Sequence, residues 1–370
     1  MSARVQKYLF WLLTNGRYPV LGCILLITVV LAFFAAEVSV EQGTRSMSAH
    51  QPGQLADHER FLDLFGNDED LLLTITHPQL LTPAVLDLLA EVTRRLAALE
   101  GVRRVFSLSN ARQLVSSKYG AEVRPLLPSS DDAAFARVLL ATLSANPEYE
   151  GLLISTDHKT AGLVISLKDQ RGDPAQRSRL IGEVRELMAN LGGRAEFHLT
   201  GVGVQQSDVA GYIQRDQRVI LPMVAIALMV MLAMIFRRLS GILLPLLATG
   251  ISLIWTMGLY VLGGFELNTI TSLLSPVVMV LAISNCVHIY NGWLHLDGAD
   301  DHRIALLVNK IDELFVPCLF TALTTALGLV SLTISSVPAV RQFGLFAAVG
   351  VMISFLVLSL IHISEPTRPY

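Results

Sequence analysis

In the stretch VLAISNCVHIYNGW, Val280 to Trp293, an otherwise lipid-soluble run carries Ser284, Asn285, His288 and Asn291. A charged or strongly hydrogen-bonding residue costs about 2–4 kcal/mol at the centre of a bilayer, so such groups face a bundle interior and tend to be functional. On a helix, steps of four, three and four put Ser284, His288, Asn291 and His295 on one stripe, with Asn285 close beside it. Of these, only His288 and His295 titrate near physiological pH. An amide cannot accept and release a proton there, so a carboxylate relay cannot be built from this stripe alone. Two chemistries stay open for it: proton relay through His288, or interhelical hydrogen bonding worth about 0.6–2 kcal/mol per group. For His288 a satisfied core histidine or a metal ligand are the competing readings. On a second apolar run Thr321, Thr324, Thr325 and Gly328 form a small polar face. Its hydroxyls could reach a buried imidazole or ordered water, or serve packing alone.

These residues need a membrane around them. The chain has 370 residues, 52% hydrophobic and 16% charged, with a mean hydropathy of +0.53, outside the range of an ordinary soluble enzyme. Apolar windows able to cross about 30 Å of hydrocarbon fall near residues 18–38, 218–236, 241–262, 270–292, 314–335 and 341–361, which predicts six transmembrane helices. Pro222, Pro245, Pro276 and Pro317 mark first turns or kinks in them. Lys and Arg cluster before the first span, at the FRRLSG turn and between His295 and Lys310, all on one side of an alternating topology. That side is cytoplasmic by the positive-inside rule, with Arg341 a mild exception. The first span follows Arg4, Lys7 and Arg17 but lacks a clean cleavage site and reads as a retained anchor. Both ends are then cytoplasmic and the segment 39–217 is extracytoplasmic.

Within 39–217, DLLLTIT (70–76), the amphipathic PAVLDLLAEVTRRLAALE (83–100) and VRRVFSL (102–108) read as strand, helix and strand. A short helix near 131–144, opened by Asp131 and Asp132, follows. GLLIST and TAGLVISL flank the DHK turn as a hairpin, and a helix near 174–191 and the strand 195–200 complete the set. The order predicts an α+β ferredoxin-like sandwich, with helices on one face of a mixed sheet.

Several classes are excluded or disfavoured. A net charge of −3, with no basic cluster larger than Arg237–Arg238, gives no reason to expect nucleic acid. Cys23, Cys286 and Cys318 all lie in apolar runs, which excludes a disulfide framework for the soluble segment. His50, His58, His77, His158 and His198 are scattered without ligand-like spacing. No nucleophile–base pair or metal cluster appears, so neither an enzyme nor a cofactor is expected.

The order of one helix, a large α+β segment and five further helices resembles one half of a resistance-nodulation-division (RND) superfamily permease of the MMPL-like, predicted-exporter branch. The motifs carry more of that resemblance than the topology. LTGVGVQQSDVAGYIQRDQRVILP looks like the lead into the second helix, with Gly201 at the domain exit and Asp216 at the domain–membrane junction. FRRLSGILLPLLATGISLIWTMGLYVLGGFELNTITSLLSP resembles the second-to-fourth helix signature, and PCLFTALTTALGLVSLTISSVPAVRQFGLFAAVG the fifth and sixth. The resemblance implies a six-helix membrane bundle with an inserted porter domain, acting in the bacterial inner membrane on lipid-like or other hydrophobic substrates. It implies proton drive through the helix that holds AISNCVHIYNGW, where His288 matches the family histidine and Asn285 stands where an aspartate is expected. Either His288 carries the proton, the acid comes from a second half, or the protein is not proton-coupled.

The expected organisation is a cytoplasmic N-terminus and first helix (1–38), a periplasmic domain (39–217), a five-helix bundle (218–357) and a tail (358–370). The tail breaks the pattern: LSLIHISEPTR matches one frame of a transposase library adapter, so it reads as non-native. Expected partners are a hydrophobic substrate, membrane lipids, a C-terminal half beyond this chain, and a second copy or a periplasmic accessory protein. Asp216 reads as an interfacial cap or helix-dipole partner. The runner-up function is a non-transporting, sterol-sensing-type protein that binds a lipid and regulates a partner, and Asn285 in place of an acid is its best support. A protein-export accessory subunit of the SecD/SecF kind is the third reading.

Overall fold

The computed structural model describes residues 17–41, 57, 60, 61, 64, 70–117, 120–127, 135–168, 174–237, 239–294 and 303–364. The chain divides into two compact units, Gln51–Val209 and the remainder, Met1–His50 with Ala210–Tyr370.

The first of these units is built on a four-stranded sheet. Its strands are β1 (Asp70–Thr76), β2 (Val102–Phe106), β5 (Thr160–Leu167) and β6 (Glu196–Gly201), in the order β2-β5-β1-β6. Helix α1 (Arg17–Ala36) precedes them, α2 (Pro83–Ala97) follows β1, and α4 (Pro174–Leu191) joins β5 to β6. Proline at the start of α2 is compatible with a first turn whose N–H groups lack partners anyway. Leu71, Leu73 and Ile75 alternate along β1 with no exposure, as a half-buried strand requires. They meet Val85, Leu88, Leu89, Val92 and Leu96 of α2 and Leu180, Ile181 and Val184 of α4 in one core. Every pairing is antiparallel, so the expected mixed sheet is corrected. β5 lies between β1 and β2, so the strand–helix–strand unit is split and its two strands do not pair.

Three further expectations change here. β2 stops at Phe106, two residues before its expected end, because Asn110 Oδ1 accepts the Ser107 N–H at 2.9 Å while Asn110 Nδ2 donates to the Val105 carbonyl. The chain then forms a hairpin of β3 (Arg112–Ser117) and β4 (Gly120–Pro125), where only a polar stretch was expected. GLLIST is not a strand: the Tyr149 carbonyl accepts the Leu153 and Ile154 N–H groups, and a single bridge joins Ile154 to Ala161. Leu153 and Ile154 are buried in the core instead of extending a ladder. Between them runs α3 (Phe135–Ala145), while Asp131 and Asp132 lie outside the described residues.

The second unit is helical. Helix α5 (Val202–Phe236) begins with β6 barely ended and is continuous; α6 (Leu239–Leu262), α7 (Leu274–Leu294), α8 (Arg303–Val330) and α9 (Pro338–Ser364) follow. Five helices among the described residues are long and apolar enough to cross a membrane: Tyr18–Ala36, Val202–Phe236, Gly241–Leu262, Phe315–Ile334 and Pro338–Leu360. In the expected fourth span, Thr271–Ser284 is a shorter apolar helical segment. At 1.5 Å per residue, α5 is about 52 Å long, more than a bilayer core. It starts at Val202 and not near 218, so Asp216 sits mid-helix and exposed, far from the helix N-terminus. The dipole-capping reading of Asp216 is therefore corrected. Pro276 lies in the first turn of α7, whereas Pro222, Pro245 and Pro317 lie inside helices.

Close helix approach depends on missing side chains. A Cβ on Gly258 of α6 would meet the Leu31 carbonyl of α1 at 2.5 Å, and one on Gly350 of α9 would meet Val278 Cγ2 at 2.7 Å and Thr256 Oγ1 at 3.0 Å. Both are positions where glycine allows backbones to touch. Beside the first contact, Trp255 Nε1 donates to Thr28 Oγ1 at 2.9 Å. The segment after α1 is clipped to the α6–α7 loop by Leu267 N–H to the Ser39 carbonyl and Glu41 N–H to the Leu267 carbonyl.

Candidate functional site

Helix α7 carries the polar stripe, and its packing shows which way the stripe faces. Val278, Ala282 and Cys286 are buried, with Cys286 in the cluster formed with Ala248 of α6 and Ile353 and Val357 of α9. Met279 and Ile283 pack against Leu228, Leu232 and Phe236 of α5. Ser284 is exposed, and so is Val280 one turn before it. Positions 288 and 291 follow Ser284 by helical steps of four and three and share its face of the backbone. The side chains of Asn285, His288 and Asn291, and all of His295, lie outside what the structure describes.

Helix α8 presents a comparable face. Ala322 and Cys318 are buried against Val351 and Phe355 of α9, while Thr321 and Thr324 are exposed and Thr325 is half-buried. Each hydroxyl donates to its own helix: Thr321 to the Pro317 carbonyl at 2.9 Å, Thr324 to Phe320 at 2.9 Å, Thr325 to Thr321 at 2.8 Å. Their protons are thus used within α8, and what they offer a neighbour is an acceptor oxygen. Hydroxyls satisfied in this way can stand at a helix surface and still favour close approach of another helix.

A second polar set was legible in the sequence but was not singled out. Thr249, Ser252, Thr256 and Tyr260 recur along α6 at steps of three, four and four, and all four are buried. Tyr260 and Thr256 meet α9 in successive layers. Tyr260 stacks edge-on against Phe346 of α9 with ring centroids 5.0 Å apart. Its hydroxyl donates to the Glu266 carbonyl at 2.8 Å and lies 3.1 Å from Thr271 Oγ1. Asn268 closes that end: its Oδ1 accepts the N–H groups of Ile270 and Thr271, and its own N–H donates to Thr271 Oγ1. One layer on, Thr256 and Val278 both abut Gly350. Ser252 and Thr256 donate to the carbonyls of Ala248 and Ser252, each at 2.7 Å. Ser354 likewise donates to Val351 at 2.8 Å.

Among the described residues no three His, Cys, Asp or Glu side chains converge on a metal position. His77 accepts the Gln79 N–H on Nδ1, and His198 pairs with Glu196 at 3.0 Å on the surface. Asp157 is held below the usual carboxylate range by its hydrogen bond from Ser155, with the Lys159 backbone N–H adding to the effect. His50 and His58 lie outside the described residues.

Five helices long and apolar enough to cross a membrane, in one chain with an α/β unit, define a multi-pass membrane protein with the fold of an RND-type pump. Residues 73–286 match the MMPL family, and the chain belongs to it. Residues 239–364 also match the sterol-sensing domain of SREBP cleavage-activation. Among solved structures, one described as "X-ray crystal structure of a heavy metal efflux pump, crystal form II" shares the fold with a TM-score of 0.52 at 15% identity. That likeness covers 98% of this chain and 52% of the pump, so the chain spans about half the length of that relative. No curated protein matches it.

Proposed function

We propose that the chain is one half of an RND-type secondary transporter that exports lipid-like or other hydrophobic substrates, driven by the proton gradient. The observation that carries this reading is the exposure of Ser284 on α7 together with Thr321 and Thr324 on α8. Polar positions on two membrane helices are left uncovered on a chain half as long as a relative of the same fold. Polar intramembrane groups face protein or a water-filled cavity, not lipid. A second bundle, from the rest of a longer protein, would cover that face and enclose Asn285, His288 and Asn291. Asn285 cannot titrate, so His288 holds the proton in this half, and an acid on the facing helix would complete the relay.

The remaining architecture follows the same reading. The sheet order β2-β5-β1-β6, with helices after β1 and β5, supports a ferredoxin-like porter domain at 39–217. The length of α7, 21 residues, supports a sixth span between α6 and α8 in the segment 218–357. The basic turns before α1, between α5 and α6 and between α7 and α8 support a reading in which they face the cytoplasm of a bacterial inner membrane and the porter domain the periplasm. A homo-oligomer or a periplasmic accessory protein would then engage that domain.

The match of residues 239–364 to a sterol-sensing domain favours the second reading, a non-transporting protein that binds a lipid and regulates a partner. Proton flux separates the two. The protein, expressed from its native gene and reconstituted in liposomes, is expected to dissipate an imposed pH gradient, and His288→Ala is expected to stop it. Flux that is absent in the wild type, or unchanged in His288→Ala, rules out the relay and leaves the lipid-binding reading.

A further inference from the structure

The β3–β4 ribbon has one edge covered and one edge open. Its register pairs Leu114 with Val123, Gln113 with Arg124 and Val115 with Glu122. The Leu126 N–H donates to the Ala111 carbonyl at 2.9 Å, so Ala111 and Leu126 form a hydrogen-bonded pair of the same ladder. By the alternation of an antiparallel ladder, Gln113–Arg124 and Val115–Glu122 are hydrogen-bonded pairs too, and the backbone N–H and C=O groups of Arg112, Leu114, Ala121 and Val123 turn outward. On the β3 side Tyr149 covers the edge, its hydroxyl donating to the Arg112 carbonyl at 2.6 Å. On the β4 side every residue is exposed, and no further strand pairs there among the described residues. A two-stranded ribbon with Leu114 and Val123 exposed side by side is marginal alone, and an open edge is a template for another strand.

The residues of β4 determine which strand fits. Ala121 and Val123 offer the donors and acceptors of the open edge, and Pro125, next in that series, has no N–H. Glu122 and Arg124 share the face of the strand opposite to Val123 and pair with each other at 2.8 Å, both exposed. Laid antiparallel against its own copy with Val123 at the centre, β4 puts Glu122 opposite Arg124 of the second copy, twice over. These are non-hydrogen-bonded positions, where side chains lie closest. The two Val123 residues exchange both backbone bonds, and the Ala121 N–H meets the Pro125 carbonyl across the contact. That carbonyl already accepts from Gln113 Nε2 at 3.2 Å and has a second lone pair. On the other face Leu114, Val123 and their copies form one apolar row across four strands. A pairing centred instead on Glu122 or on Arg124 sets like charges opposite each other, so the charges fix the register.

We propose that the open edge of β4 docks a second copy of this chain, whose own β4 pairs with it antiparallel about Val123 and joins the two ribbons into one four-stranded sheet across a two-fold axis. The occupant is a second copy because the order Glu122, Val123, Arg124 complements itself. Such a contact uses the same surface on both copies and closes at a dimer. The inference rests on the reading above that a further protein engages the α/β domain, names that protein as a second copy, and is independent of the proton relay.

The protein, expressed from its native gene, is oxidised mildly in its own membranes as wild type, Val123→Cys and Leu114→Cys. Across the contact the two positions 123 lie about 5.5 Å apart, within disulfide reach. The two positions 114 lie three strand spacings, about 14 Å, apart and beyond it. A disulfide-linked dimer is expected for Val123→Cys and for neither of the others. With Val123→Cys in place, adding Glu122→Arg or Arg124→Glu is expected to reduce the linked dimer by about tenfold, because like charges then face each other twice. Both changes in one chain, or co-expression of the two singly charge-reversed chains, are expected to restore it. No dimer in Val123→Cys, equal linking in Leu114→Cys, or a dimer that the charge variants neither weaken nor restore overturns the proposal. Linking of Val123→Cys to a different protein also overturns it, since the edge then belongs to another partner. Proton flux, measured on wild type after reconstitution, keeps the readings apart: a dimer without flux removes the transport reading and leaves the β4 contact, and flux without a dimer does the reverse.

Discussion

Ser284 and Cys286, two residues apart on α7, stand on opposite sides of the helix: the thiol is 1% exposed among α6 and α9, and the hydroxyl is exposed. An apolar helix in lipid has no reason to put serine outward, whereas a helix awaiting a partner does. A bulky residue at 284 discriminates between these. Ser284→Trp is expected to abolish proton flux by blocking the approach of a facing helix, with little change in the melting temperature of the bundle. Met234→Trp is the control, because Met234 is 74% exposed on α5 and faces no polar stripe. Equal flux in both variants would show that the Ser284 face meets only lipid.

The tight layer at Gly350 makes a prediction about stability alone. A methyl group there would lie 2.7 Å from Val278 Cγ2 and 3.0 Å from Thr256 Oγ1. α9 would have to move away from α6 and α7 together. Gly350→Ala is expected to cost about 1–3 kcal/mol, the range for overpacking a well-filled core, seen as a lower melting temperature in detergent. Gly328, exposed on α8 with nothing near its missing Cβ, is expected to accept alanine without loss.

Much of this was legible in the sequence, and the exceptions have physical causes. Strand β1 and helices α2 and α4 announce themselves because one face of each is buried, so Leu71, Leu73 and Ile75 alternate and Val85, Leu88, Leu89 and Val92 recur at helical steps, while β5 is a nearly continuous buried run and β6 turns only Phe197 and Leu199 toward the core. The β3–β4 hairpin is silent because it has no such face: every described residue of β4 is exposed, and Leu114 and Val123 point outward at 71% and 56% exposure. The early start of α5 was hidden because its first turns carry few apolar residues among polar ones: Val204 is buried in the core, and polar contacts such as Arg185 to Asp208 at 2.8 Å stand beside it. In the bundle, polarity within an apolar run located α7 and α8, but the direction each stripe faces is a property of packing. Thr249 shows the limit most clearly. Its spacing with Ser252 and Thr256 can be read, while its burial at 2% exposure cannot.

The α/β unit carries a pH-sensitive tie. Glu91 of α2 accepts from Arg194 at 3.1 Å and also pairs with Arg95, one turn along the helix. The Arg194 hydrogen bond is the main reason its carboxyl sits below the ordinary value of 4.5, partial desolvation working against it and the two positive charges adding to it. A carboxylate whose folded pKa is depressed contributes stability that is full above its unfolded pKa and is lost as pH falls through the folded one. Wild type is therefore expected to lose stability relative to Glu91→Gln as pH is lowered through and below about 4.5. Melting temperature against pH for the two proteins tests this, and parallel curves would show that the pair contributes nothing.

Tyr260 provides the last test, because one hydroxyl there ties the α6–α7 loop to its helix. The ring is fully buried against Phe265 and Phe346, and the hydroxyl donates to the Glu266 carbonyl beside Thr271 Oγ1. Thr271 Oγ1 in turn accepts the Asn268 N–H, and Asn268 Nδ2 reaches Gln342 Oε1 of α9 at 3.4 Å. Tyr260→Phe keeps the aromatic packing and removes the bond to the Glu266 carbonyl, which is part-buried, a loss of about 0.5–1.5 kcal/mol. The cost should appear locally: faster hydrogen exchange at Ile270 and Thr271, whose N–H groups depend on the Asn268 turn, with the centre of α6 unchanged. If exchange rises equally along α6, the hydroxyl holds the helix itself and not the loop.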